Sequence, residues 1–216
     1  MKERIGILGS GIVGKVLTNG FVAHGYEAMI GTNSPEKVAG LKEATGGNAK
    51  VGSFAETARF GEIVVLATKG TGAVAAVTLA GLEQLKGKTV IDTTNPIADA
   101  PPENGVLRFF TSLDDSLMER LQRLAPETHF VKAFSCVGNA RMVDPAFPGG
   151  KPTMFLCGND VSAKNRVTRI VAEFGFEPED CGSVEAARAI EPLCILWCIP
   201  GFQNRGWNHA FKLLRT

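Results

Sequence analysis

An excess of charge of either sign is missing: 23 Lys and Arg stand against 22 Asp and Glu, leaving +1 with His neutral. That balance argues against a nucleic-acid binder that works through bulk positive charge. Histidine is scarce, with only His24, His129 and His209, and tyrosine is a single residue, Tyr26. A Tyr-x-x-x-Lys proton-donor pair therefore cannot be built. Long apolar runs are also lacking. No uncharged stretch is longer than residues 192–204, which are interrupted by Pro200 and Gly201 and fall short of the roughly 18 residues a membrane span needs. The cysteines are odd in number (Cys136, Cys157, Cys181, Cys194, Cys198), and the start of the chain runs straight into a strand pattern without a signal-peptide apolar region. No disulfide framework, a reducing compartment and a cytoplasmic protein are the expectation. Internal repeats, low-complexity tracts and charge blocks are absent as well.

What is present is ordinary globular composition, 44% apolar and 21% charged, with 25 glycines in 216 residues. Such a length fits one domain, or one with an appendage. Short β-branched runs alternate with longer helical patterns, which predicts βαβ units and a Rossmann-type, doubly wound, mostly parallel α/β sheet. Strands are expected at 4–8, 27–31, 50–52, 63–67, 89–92, 129–134 and 153–157, with a short extended piece at 177–181. Helices are expected at 12–24, 34–44 (Ser34 as N-cap, Pro35 at its first position), 71–82, 114–124 and 161–174. Two terminal helices, 184–198 and 204–214, are predicted on either side of the Pro200-Gly201 break. Residues 1–183 then form the nucleotide domain, and 184–216 a helical segment packed on it rather than an independent unit.

The sharpest motif is G-S-G-I-V-G, residues Gly9, Ser10, Gly11, Ile12, Val13 and Gly14. It lies between a predicted strand and a predicted helix, with a second strand following, which is the setting of a dinucleotide loop. Gly9 permits the tight turn, Gly11 lets the backbone approach a pyrophosphate, and Gly14 allows close helix–strand packing. The free N–H groups at the helix start favour phosphate. An NAD site usually offers Asp or Glu about 20 residues on; here the second strand ends in Thr32, Asn33 and Ser34, with Lys37 nearby. No carboxylate repels a 2′-phosphate, so NADP is favoured over NAD, although Asn33 and Ser34 can equally form a turn and cap. Ligands in open α/β sheets lie beyond the carboxyl ends of the strands. Thr68, Lys69 and Asn95 are therefore candidates to line the pyrophosphate and nicotinamide channel, while Asn95-Pro96 is also a common turn starter.

The segments R-I-G-I-L-G-S-G-I-V-G, I-G-T-N-S-P-E-K, I-D-T-T-N-P, V-K-A-F-S-C-V-G-N-A-R-M-V-D-P, E-A-A-R-A-I-E-P-L and G-W-N-H-A-F-K-L-L-R span essentially the whole chain. In them the chain resembles the coenzyme F-420-dependent NADP reductases and their bacterial relatives. The resemblance implies a Rossmann domain with a small C-terminal portion, a homodimer, and NADP held face to face with a deazaflavin so that hydride passes between the two rings. It implies that Ser10, Gly11, Ile12 and Val13 hold the pyrophosphate and that Thr32, Asn33 and Lys37 surround the 2′-phosphate. It also implies that Ser135, Cys136, Val137, Gly138 and Asn139 form the floor where the rings meet. Two departures stand out. Family members often carry Arg where Asn33 stands, and the archaeal reductases have H-T-I-P in place of Ser135 to Gly138, so a His that contacts the deazaflavin is absent here.

Hydride transfer between two rigid rings needs proximity, orientation and a dry pocket more than a catalytic acid. Accordingly no residue is singled out as catalytic. His24 and His129 read as structural; His209, with Trp207, is expected on the last helix, covering a cofactor or a dimer partner. Trp197, Trp207, Phe202 and Phe211 read as core or interface aromatics. The stretch 81–89 looks like a P-loop but has five residues between its glycines and precedes a strand, so it fails mechanically. Cys194 and Cys198, four apart, lack a second ligand pair, and no metal site is expected. Cys136 is a candidate reactive thiol. The leading expectation is an NADP(H)-dependent oxidoreductase whose partner is a small-molecule electron acceptor, coenzyme F-420 or a flavin. The alternatives are an NADPH-dependent reductase of a small carbonyl or imine, and a non-catalytic NADP(H)-binding redox sensor.

Overall fold

A computed structural model describes residues 2–216. Six parallel strands, β1 (Ile5–Leu8), β2 (Ala28–Gly31), β3 (Lys50–Gly52), β4 (Ile63–Leu66), β5 (Thr89–Asp92) and β6 (His129–Lys132), lie in the order β3-β2-β1-β4-β5-β6. β1 and β4 are wholly buried apolar strands, as expected of strands covered on both faces. The order reverses between β1 and β4, the switch point outside which such sheets bind ligands. A separate two-stranded parallel sheet pairs β7 (Thr153–Leu156) with β8 (Glu177–Asp180), touching the main sheet through an antiparallel bridge from Lys132 to Cys157.

The helices are α1 (Ile12–Ala23), α2 (Val38–Ala44), α3 (Phe54–Phe60), α4 (Gly70–Ala80), α5 (Leu82–Leu85), α6 (Leu117–Leu124), α7 (Val161–Glu173), α8 (Ala187–Ile190) and α9 (Leu193–Phe202). One apolar layer joins Ile5, Ile7 and Val65 to Leu17 and Phe21 of α1 and to Val167, Ile170 and Val171 of α7. The other joins Leu8, Val64, Leu66 and Val90 to Ala73 and Val77 of α4 and to Leu117 and Leu121 of α6. Each fully buried side chain of this size contributes about 1.5–3 kcal/mol, so the two layers hold the sheet edge rigid beneath the loops that form the site. Among the described residues no helix is long and apolar enough to cross a membrane.

Several expectations change. The helix expected from residue 114 begins at Leu117, because Ser116 and Glu119 form a capping box; Leu113 is left exposed ahead of it. The Ser53 and Glu56 pair does the same for α3, a helix the apolar periodicity did not single out. Ser34 makes no side-chain cap, and the segment opens as a 3-10 turn (Pro35–Lys37) before α2. The pattern at 184–198 is split into a 3-10 turn (Val184–Ala186), α8 and α9, and α9 runs through Pro200 to Phe202. The predicted 204–214 helix is not formed. Asn204 and Gly206 take positive φ, and the chain beyond is drawn out along β7, where the Thr153 N–H donates to the Phe211 carbonyl at 2.9 Å and the Leu213 N–H to Thr153 Oγ1 at 2.9 Å.

Candidate active site

Each glycine of the loop after β1 has its own steric role. Gly9 turns the chain at a φ of 133°, where a side chain would be strained, and a Cβ there would lie 2.3 Å from the Ala67 carbonyl oxygen. A Cβ on Gly14 would lie 1.9 Å from the Gly9 carbonyl oxygen, so the absence of one seats α1 against the turn. Gly11 differs: a Cβ there would meet nothing within 4 Å. Its bare face opens onto the cleft, where a ligand backbone can approach. The α1 N-terminus, with Gly11 as cap, has neither a side-chain cap nor an acid in its first turn.

A second helix start faces the same space. α4, capped by Lys69, likewise lacks a side-chain cap and first-turn acids. It sits hard against the loop after β5, since a Cβ on Gly70 would lie 1.9 Å from the Asn95 carbonyl oxygen. The residue trios 11–13 and 69–71, together with Thr68, Thr93, Thr94, Asn95, Ile97 and Asp99, enclose a cleft of about 470 Å³. Two uncapped helix starts on one cleft make a receptacle for anionic oxygen. Among the described residues three buried polar atoms of this cleft and the space adjoining it have no protein partner: Thr68 Oγ1 and Asn95 Oδ1 on its lining, and Ser135 Oγ beyond Asn95. Buried polar groups are normally satisfied, so these three fit a polar ligand. A dinucleotide, with a diphosphate for the helix starts and a carboxamide for the side chains, matches the set.

At the end of β2, Thr32 is buried; its Oγ1 accepts from the Ser34 N–H at 3.1 Å and lies 3.2 Å from Ser10 Oγ. That pair ties the glycine loop to the segment carrying Asn33 and Lys37, which are exposed. No acid stands within this turn before Glu36.

Beyond Asn95 the cleft continues into a second compartment of about 340 Å³, with Ile12, Val13, Thr93 and Asn95 as the shared wall. Its floor is Ser135, Val137, Gly138 and Asn139, and its far side is Cys194, Trp197 and Cys198 of α9 with Trp207. Trp197 is clamped. Its indole N–H donates to the His209 carbonyl at 2.9 Å, the His209 ring stacks on it at 4.9 Å, and Trp207 lies 5.5 Å away on centroids. A Cβ on Gly138 would lie 2.6 Å from the Trp197 ring.

His209 and Trp207 thus act from an extended tail, not a helix. Of the five residues expected on the floor, Cys136 does not line the compartment: it is buried, and burial pushes its thiol up to about 12. Desolvation works against a reactive thiolate there. Cys194 is held far above the ordinary thiol value by its hydrogen bond with Cys198 and by burial, and Cys198 is lowered by the same bond. Among the described residues no group of three or more His, Cys, Asp or Glu is placed to hold a metal. His24 pairs with Asp144 at 3.0 Å, away from the clefts.

Residue types in isolation did not reveal a buried ionic cluster directly under the site. Lys132, at the end of β6, is fully buried, 2.6 Å from Asp92 and 2.9 Å from Glu191. Burial works against its charge, but the two carboxylates outweigh that and raise it above the ordinary lysine value. The signal was a charged residue directly after the apolar pair of each of two strands, V-I-D and F-V-K, and a lone Glu191 between Ile190 and Pro192.

Residues 4–96 match the family described as NADP oxidoreductase, coenzyme F420-dependent. The crystal structure of a candidate F420-dependent NADP reductase from Arthrobacter sp. FB24 is 31% identical, superimposes with a TM-score of 0.92, and covers 99% of this chain and 100% of its own. Rat metalloreductase STEAP3 is 29% identical over 91% of this chain and 38% of its own length; human metalloreductase STEAP2 is 26% identical over 89% and 36%. The chain spans little more than a third of these curated relatives. With the reductase likeness running end to end, the chain belongs to the coenzyme F420-dependent NADP oxidoreductase family and has a Rossmann fold.

Proposed function

We propose that the protein passes hydride between NADP(H) and a deazaflavin or flavin-type acceptor, the nucleotide in the first compartment and the acceptor ring in the second. One observation carries the reading: two compartments share a wall at Ile12, Val13, Thr93 and Asn95, one fitted for a diphosphate and the other walled by a clamped indole. NADPH supplies the hydride when bound. The chain's own work is binding and orientation. The N–H groups at the starts of α1 and α4 neutralise the diphosphate. Asn95 Oδ1 and Ser135 Oγ offer partners to a carboxamide, and Trp197 offers a flat apolar face for a second ring. Thr32, Asn33, Ser34 and Lys37 support NADP over NAD.

A carbonyl or imine reductase would need a proton delivered to the substrate. The only tyrosine is committed elsewhere: Tyr26 donates to Glu173 at 2.7 Å, and burial together with that carboxylate holds its phenol above the ordinary range. The test is calorimetry with NADPH and NADH, followed by anaerobic mixing of the NADPH complex with coenzyme F-420, FMN and FAD. Tight NADPH binding with reduction of one acceptor supports the reading. Tight binding with no acceptor reduced favours the sensor, and no nucleotide binding ends the proposal. The same family resemblance supports a homodimer, which sedimentation equilibrium checks.

A further inference from the structure

The cluster of Asp92, Lys132 and Glu191 joins both compartments, although none of the three lines either. Asp92 closes β5, and its Oδ1 accepts from the Thr94 N–H at 2.9 Å and from Thr94 Oγ1 at 2.6 Å. Lys132 closes β6, and its Nζ donates to the Thr94 carbonyl at 2.8 Å. Every polar group of Thr94 is therefore held from below, and both its neighbours, Thr93 and Asn95, belong to the wall shared by the two compartments. Glu191 ties in the other side. Its carboxylate takes the first two N–H groups of α6, from Leu117 and Met118, at 3.0 Å each, and it precedes by two residues the start of α9, which carries Cys194, Trp197 and Cys198.

Stability alone does not call for this arrangement. An apolar trio of equal volume would serve as well or better, because two carboxylates and an ammonium must all be stripped of water. What an apolar trio cannot do is hold one carbonyl, one amide and one hydroxyl of a single loop residue in fixed directions while anchoring a segment from the far end of the chain. We propose that Lys132, with Asp92 and Glu191, is a positioning residue: it sets the Thr94–Asn95 peptide against the nicotinamide end of the nucleotide and keeps α9 in register with it. The inference rests on the nucleotide reading above. Hydride transfer needs reacting atoms about 3–3.5 Å apart, and this cluster is where the two walls are joined.

The test separates the nicotinamide end of the nucleotide from the rest. NADPH and 2′-phospho-ADP-ribose, which lacks nicotinamide, are titrated calorimetrically into the wild-type chain and into the uncharged triple variant Asp92→Asn, Lys132→Met, Glu191→Gln. Asp92→Asn alone is the second variant; it keeps an oxygen for Thr94, leaves Lys132 and Glu191 as a neutral pair, and serves where the triple variant does not fold. The wild type is expected to prefer NADPH. The triple variant should bind 2′-phospho-ADP-ribose within about twofold of wild type yet lose about tenfold in NADPH affinity, the equivalent of one well-placed hydrogen bond. Asp92→Asn should show the same selective loss at about threefold. An unchanged ratio of the two affinities in a folded variant, a parallel loss of both, or a wild type with no NADPH preference overturns the inference. A wild type that binds neither ligand overturns the nucleotide reading itself.

Discussion

The Asn95 side-chain amide donates to the Ser135 carbonyl at 2.7 Å, fastening the loop after β5 to the loop after β6 and leaving Asn95 Oδ1 buried with no protein partner. One side chain thus spends its donor on the scaffold and keeps its acceptor for the cleft. Asn95→Ala removes both. Unfolding free energy should fall by about 1 kcal/mol for the lost bond, and NADPH affinity by about tenfold for the lost acceptor. Chemical denaturation and calorimetry check the two effects, and unchanged NADPH affinity would remove Asn95 from the site.

Gly11 and Gly14 make a sharper contrast, because they belong to one motif and should fail in opposite ways. At Gly14 the added methyl meets a backbone oxygen at 1.9 Å, which a side-chain adjustment cannot relieve. Gly14→Ala should cost about 3 kcal/mol or more. Gly11 has a φ of −74° and ψ of −173°, open to any residue, and nothing within 4 Å of a new Cβ. Gly11→Ala should leave stability equal or raise it by about 0.4–1 kcal/mol through the unfolded chain, while weakening NADPH at least about tenfold by filling the space for the diphosphate. Thermal melts with and without nucleotide separate the two outcomes.

Nucleotide choice turns on the segment after β2. Lys37 is exposed and free to reach a 2′-phosphate, and Thr32 is buried and bonded to Ser10 and Ser34. NADP should bind several-fold more tightly than NAD, and Lys37→Ala should erase much of that gap without altering NAD affinity, since the lysine meets only the extra phosphate. The gap should also shrink as salt rises. Equal affinities for the two nucleotides in the wild type would discard this assignment.

The thiols sort by burial. Cys136 and Cys157 are both pushed up to about 12, in each case chiefly by burial, whereas Cys198 is lowered by its bond with Cys194. Alkylation at pH 8 followed by mass spectrometry should label Cys198 well ahead of Cys136 and Cys157, which should react only on unfolding. NADPH together with an acceptor analogue should slow Cys198, because it lines the second compartment. Labelling of Cys136 in the native protein would show that its loop opens.

The parallel sheet was legible because its central strands β1 and β4 are buried on both faces and read as unbroken apolar runs such as I-V-V-L, and because each glycine of the first turn has a steric reason that sequence context exposes. The first compartment was legible in outline, since strand ends locate ligands in such sheets; the floor of the second was reached only through the family resemblance. The last fourteen residues were not. Trp207, Phe211 and Leu214 mimic a helical stripe, but what fixes that segment is bonding to Thr153, some sixty residues earlier. Lys132 and Glu191 were hidden for the same reason. A charge in an apolar run signals a partner, but only the three-dimensional structure shows that strand ends β5 and β6 and the start of α9 meet at one point.

An ion pair holds the C-terminal segment on α6. Arg188, just before Glu191, closes on the capping box of that helix, its Nε and Nη2 donating to Glu119 at 3.0 Å and 2.6 Å. The Arg188 bonds lower the Glu119 carboxyl, burial opposes them, and the bonds from Ser116 add to the lowering, so that it sits at about 2 instead of 4.5. A carboxyl lowered in the folded state binds its proton more readily when unfolded. The stabilisation from Glu119 is therefore complete above pH 4.5 and drains away as the pH falls towards 2. Glu119→Gln should be less stable than wild type at pH 7, and the difference should shrink between pH 4.5 and 2. Because Arg188 and Glu191 lie three residues apart, the same variant should loosen α9 and expose Trp197, read as a red shift of the tryptophan emission. A constant gap in stability down to pH 2 would mean that Glu119 is not held by Arg188 in solution.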